Sequence, residues 1–232
     1  MVQNQYDILV AGGGLAGVAA AIAASRLGAS VILIEKYGFL GGMATSGLVN
    51  PFMPYWEYDE AGKMLYDKPL NAGIFKKITD GLSDMDAFLP GNRMTFHEEY
   101  LKLLLDRMCR EYGVRVLLHT LLTDVERNER LVQGATFSNK GGHERLKARV
   151  YIDATGDADL AAFAGYDYKL GRDLDGLCQP MTMCFRVTNV DWSKWDWEKA
   201  NALYTEMRGK GAIKNPREDI LIFPHVIGNV MH

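Results

Sequence analysis

Gly12, Gly14 and Gly17 stand in the spacing G-x-G-x-x-G, and an acid, Glu35, follows about twenty residues further on. These residue types at these intervals suit one task, the holding of a dinucleotide by main chain. The first glycine permits a tight turn, the second lets a diphosphate approach the backbone, and the third lets a helix pack closely on a strand. Leu15 and Ala16 then open a helix whose first N–H groups and positive dipole end would face the phosphates. A carboxylate at Glu35, with Lys36 beside it, can accept hydrogen bonds from a ribose diol. The motif alone is weak. It carries weight when a strand precedes it, a helix follows, and a second strand delivers the acid.

The flanking residues meet that condition. Residues 6–11 are a short apolar run ending at glycine, as a buried parallel strand does. Residues 15–27 are rich in alanine, with Val18, Ile22 and Leu27 on a helical period and Gly28 as the stop. Residues 30–34 are β-branched and apolar, a second strand. Together they predict a βαβ unit. A reading of residues 8–24 as an export or spanning segment fails. No Lys or Arg precedes them, Asp7 does, and Gly12, Gly13 and Gly14 would break a spanning helix.

The residues after the second strand bear on which dinucleotide is held. A nicotinamide dehydrogenase usually continues into another helix there. Residues 37–47 instead read YGFLGGMATSG, a glycine-rich loop held close to something large. Amides of Gly41, Gly42 and Met43, with the Thr45 and Ser46 hydroxyls, suit a pyrophosphate and a ribityl chain. The stretch GGMATSGLV resembles the FAD-dependent oxidoreductases of the glutathione reductase structural class. In particular it is similar to a family distantly related to the fumarate reductase flavoproteins. That resemblance implies FAD as the cofactor.

Thr95, Phe96, His97 and Glu98 have the capping-box pattern, threonine at the N-cap and glutamate three on. The helix it predicts carries Tyr100, Leu101, Leu104, Leu105 and Met108 on its apolar face and ends near Gly113. Residues 114–118 read as a third parallel strand. Residues 121–127, 131–138 and 144–148, with a hairpin signal at Gly141 and Gly142, read as a three-stranded antiparallel meander. Residues 151–157 return a strand to the sheet. ATGDADLAAFAG, from Ala154, resembles the family's second fingerprint. By that resemblance the Leu122 backbone lies near the adenine, and Gly156 and Asp157 near the ribose and pyrophosphate. Asp157 equally suits the N-cap of a helix over residues 158–164. The resemblance covers residues 5–50 and 95–190.

The expected fold class is α/β: a Rossmann-like FAD-binding domain with a parallel sheet, an inserted three-stranded antiparallel meander, and the beginning of a second, substrate domain. Residues 1–50 and 95–165 form the discontinuous FAD-binding domain, 51–94 an insertion or cap segment, and 166–232 a partial substrate domain. A helix is expected over residues 71–82, a strand over 181–187, a helix over 195–208 entered at Trp192, Trp195 and Trp197, and strand material over 219–232. The resemblance also implies a third glycine-bearing segment and a longer substrate domain, so the chain reads as a truncated member or a fragment.

Composition excludes several classes. Hydrophobic residues are 48% and charged residues 24%, ordinary for a soluble globular chain, and the net charge is −3. Neither a nucleic-acid nor a membrane partner is expected. Cys109, Cys178 and Cys184 are few and not paired as CxxC, which points to a reduced, cytoplasmic setting with no disulfide framework and no metal site. Cys178 and Cys184 read as ordinary packing rather than a redox pair. His97, His119 and His143 read as structural or solvated, and no residue is assigned as catalytic. Arg186 and His225 are the candidates for substrate contact. The expected function is hydride transfer between a small-molecule substrate and flavin, with a second electron acceptor or donor, and self-association is left open. The alternatives are a truncated non-catalytic nucleotide-binding remnant or a subunit completed by another chain, and, more distantly, an NAD dehydrogenase.

Overall fold

β1 (Gln5–Ala11), α1 (Leu15–Arg26) and β2 (Val31–Ile34) form the expected βαβ unit, with the helix one residue shorter than predicted. The computed structural model describes residues 5–215 and 217–232. Residues 1–4, part of the first expected domain, lie outside the described residues. The hairpin of β3 (Trp56–Tyr58) and β4 (Met64–Pro69) leads to α2 (Gly73–Asp84), and the hairpin of β5 (Phe88–Leu89) and β6 (Asn92–Phe96) leads to α3 (Glu98–Glu111). β7 (Arg115–Leu117), β8 (Leu121–Asn128), β9 (Leu131–Asn139) and β10 (Gly142–Asp153) follow, then α4 (Asp159–Phe163) and α5 (Trp197–Gly209).

The main sheet has six strands in the order β7-β2-β1-β10-β9-β8. β7, β2, β1 and β10 run parallel, and β9 and β8 continue the sheet antiparallel. This is the expected Rossmann-like sheet with its meander. β10 serves both halves: Gly142 to Leu146 pair with β9, and Lys147 to Asp153 pair with β1. The sequence reading divided this stretch into two strands. It is one, because Lys147, Ala148, Arg149 and Val150 include no turn former to interrupt it.

Both faces of the sheet are covered, which is why β1 and β2 read as continuous apolar runs. Val10, Val31 and Leu33 point into a cluster with α1, α2 and α3, where Ile22, Leu82, Phe96 and Leu105 are fully buried. Leu9, Ala11, Ile32 and Ile34 point the other way, against Leu122, Phe137 and Leu146 of the meander and Leu160 of α4. The period of two along each strand sorts one apolar run onto two cores.

Several local expectations are corrected. Thr95 is not a cap. It lies buried in β6, and His97 occupies the N-cap of α3 without a side-chain hydrogen bond. The Glu98 carboxylate does not reach back to the chain because Arg186 and His225 hold it. α2 and α5 begin two residues later than expected, α5 because Asp196 caps it by accepting from Lys199 N at 3.0 Å. Residues 181–187 form no strand: only Val187 bridges, to Met231. Residues 219–232 likewise make bridges rather than a ladder. With Met181, Met183 and Phe185 exposed, no neighbouring strand pairs their backbone.

Candidate functional site

β1 and β10 are parallel neighbours, with Ala11 opposite Asp153, so their carboxyl ends open on the same side. The chain leaves β1 toward β2 on one flank and returns through β10 on the other. A reversal of this kind opens the crevice in which α/β sheets bind ligands. Both glycine turns lie there. Ala154 N donates to Ala11 O, and Gly12 N to Ile34 O, each at 2.8 Å.

The three motif glycines have different neighbours. Gly12 has φ +102°, and a Cβ there would stand 2.1 Å from Ala154 O. A Cβ on Gly17 would stand 1.9 Å from Gly12 O. Gly14 is different: the nearest atom to its ideal Cβ is Gly42 Cα, at 3.9 Å. Steric fit within the protein requires the first and third glycines, and the second is left for a ligand to approach. α1 starts at this point with no side-chain cap and no acid in its first turn, so neither kind of group competes for the N–H groups of Leu15, Ala16 and Gly17.

Glu35 is only 5% exposed. One carboxylate oxygen accepts from Gly13 N at 2.7 Å and the other from Tyr37 N at 2.8 Å. It therefore pins the glycine turn and still has lone pairs for a ribose diol. Beside it, Lys36, Thr120, Leu122, Phe137 and Thr155 line a cleft of about 40 Å³. The Lys36 and Leu121 side chains at this cleft are exposed.

The glycine loop after β2 folds onto the first turn. Gly41 N donates to Gly13 O at 2.8 Å, and a Cβ on Gly42 would stand 2.9 Å from Gly14 Cα. Thr45 and Ser46 donate their hydroxyl protons inside the loop, to Leu40 O and Gly42 O. These two hydroxyls, expected to serve a pyrophosphate and a ribityl chain, here donate within the loop and compact it. Met43, by contrast, is 66% exposed at a short 3-10 turn, Gly42–Ala44, with no side-chain cap.

At the second turn Gly156 has φ +93° and Asp157 is exposed. Asp157 does not cap α4. Ala158, in a left-handed conformation, is the N-cap, and the capping bonds fall to Thr155 Oγ1, which accepts from Asp159 N, and Asp153 Oδ2, which accepts from Ala161 N. A crevice of about 740 Å³ begins at Gly156 and runs along Tyr168, Arg172, Cys178 and Gln179. All three cysteines are free thiols. Cys109 is buried, and burial pushes its thiol up to about 12.

A second cluster was not legible beforehand. Glu98, fully buried, contacts the Arg186 guanidinium through Oε1, and its Oε2 lies 2.8 Å from His225 Nε2. His232 Nε2 stands 3.7 Å from Oε1, and the His97 ring packs on His225. The structure thus brings Arg186 and His225 together, but on Glu98. Glutamate at a helix start reads as a cap, and no local signal marks a partner 127 residues away. Burial, and then Arg186, lowers the His225 pKa. Burial, then His225 and Arg186, lowers that of His232 to about 4. Ile227 N donates to His225 Nδ1 at 3.1 Å, so the ring proton is assigned to Nε2, donating to Glu98. Glu98, His225 and His232 place ligand-type atoms within 4.8 Å of one another. A metal-bound imidazole, however, donates from its second nitrogen. Here that nitrogen accepts, and Arg186 already supplies the positive charge.

The sequence profile of the FAD dependent oxidoreductase family matches residues 7–222. The chain belongs to the FAD-dependent oxidoreductase family. FAD is its cofactor, and the uncapped helix start, the bare face of Gly14 and the buried Glu35 are compatible with a dinucleotide at the crevice. A curated relative, NADH:acrylate oxidoreductase of Vibrio harveyi, is 42% identical over 60 residues, which are 25% of this chain and 6% of that protein. Among solved structures, L-proline dehydrogenase from P. horikoshii superposes with a TM-score of 0.51 at 15% identity, over 73% of this chain and 58% of that one. A geranylgeranyl bacteriochlorophyll reductase-like protein from Thermoplasma acidophilum gives 0.46 at 19% identity, over 70% and 42%. The first of these structural likenesses supports the fold. Among the described residues no helix is long and apolar enough to cross a membrane.

Proposed function

We propose that this family member carries out hydride transfer between a small-molecule substrate and FAD, with a second redox partner restoring the flavin. The observation that carries this reading is the convergence of the two glycine turns at the carboxyl ends of β1 and β10. In it, the amides from Gly14 to Gly17 hold the diphosphate, Glu35 and Asp157 lie along the ribose side, and the Leu122 backbone meets the adenine. Flavin supplies the electron-pair chemistry when bound. The chain's own residues bind and orient it, and the wide crevice from Gly156 to Gln179 leaves room for a ring and a substrate. Residues 1–50 with 95–165 are the FAD-binding domain in this reading, and 166–232 belong to the substrate side.

Purification of the polypeptide in the presence of FAD tests this. A yellow protein whose flavin absorbance is bleached by a reductant and restored by an oxidant supports the reading. A colourless protein that binds ADP but not FAD overturns it in favour of a non-catalytic nucleotide-binding role.

A further inference from the structure

Among the described residues from 165 onward, only His225 and Val230 are buried, and α5 buries none. The last third of the chain therefore touches the core at very few points, and the most polar of them is the cluster on Glu98. We propose that Glu98, Arg186 and His225 form an acid-released latch holding the segment from Arg186 to His232 against the start of α3.

The proton inventory gives the direction. With His225 neutral, Nε2–H donates to Glu98, Nδ1 accepts from Ile227 N, and Arg186 balances the carboxylate. Protonating His225 puts a second N–H opposite the N–H of Ile227. It thereby opposes two donors inside the turn that His225 N closes onto Val230 O. Protonating His232, whose ring nitrogens have no hydrogen-bond partner among the described residues, adds another cation beside Arg186. The facing groups are His97, Glu98 and Glu99 from the start of α3, Arg186 from the extended segment, and His232. Glu98 is the one buried carboxylate among them and cannot balance three cations. Both histidines have folded-state pKa values below their ordinary value of 6.5, so the closed state binds fewer protons than the open one. The latch is fully closed above that value and loosens as pH falls below it. Between pH 7.5 and 5.5 a released His232 favours the open state by about tenfold, and His225 adds to it in the same direction.

Hydrogen exchange on the whole chain tests this without any measure of flavin activity. At pH 5.5, with rates corrected for intrinsic chemistry, amides of residues 186–232 should open at least about tenfold more than at pH 7.5, while β1, β2 and β10 stay protected. His225→Gln keeps an N–H toward Glu98 without a titrating ring, and should reduce that response. Equal protection at both pH values overturns the proposal, as does parallel loss of protection in β1 and β10. An unchanged response in His225→Gln/His232→Gln also overturns it. Should that variant fail to fold, the wild-type comparison decides alone.

Discussion

At the scale of single residues, three glycines of one motif have opposite sensitivities. A Cβ on Gly17 strikes Gly12 O, whereas Gly14 has φ −66° and open space. Gly17→Ala should therefore destabilise the FAD-free protein by about 1–3 kcal/mol through overpacking. Gly14→Ala should leave the FAD-free protein unchanged or more stable by about 0.4–1 kcal/mol, since a bulkier residue restricts the unfolded chain. Its loss should fall on FAD affinity. Thermal melts with and without FAD separate the two, and equal damage to the FAD-free protein by both substitutions contradicts the assignment. The motif spacing was legible in sequence. So was the division of labour, but not the atoms that enforce it: Ala154, Gly12 O and Gly42 are brought into contact by other parts of the chain.

At the scale of elements, the meander does more than extend the sheet. Phe137 on β9 is fully buried beside Leu122 and Leu146, and it also lines the cleft next to Glu35. Phe137→Ala should cost about 3–5 kcal/mol, read as a lowered denaturant midpoint. A shift under about 1 kcal/mol would mean the cluster collapses around the change. β1, β2 and α1 were legible because an apolar period and a glycine boundary coincide locally. The start of α3 was misread for the converse reason. Thr95 and Glu98 satisfy a local capping rule, but the threonine lies buried in β6, and Arg186 and His225 hold the glutamate.

At the scale of the whole molecule, FAD binds the folded chain and so should stabilise it. At a free concentration one hundredfold above Kd the gain is about 2.7 kcal/mol, which for a chain of this size raises Tm by roughly 5–10 °C. A Tm indifferent to FAD would contradict the cofactor site. The chain spans 58% and 42% of the solved chains compared and 6% of the curated relative. By itself the sequence determined the βαβ unit, the dinucleotide motif, the meander and the family. The first three are written in short-range periods and spacings, and the family in the resemblance that GGMATSGLV and ATGDADLAAFAG carry. Only the tertiary structure decided that β10 serves both halves of the sheet, that Glu35 pins Gly13, and that Glu98, Arg186 and His225 meet. Those contacts join residues far apart in the chain, and burial and charge select them only after the elements have packed.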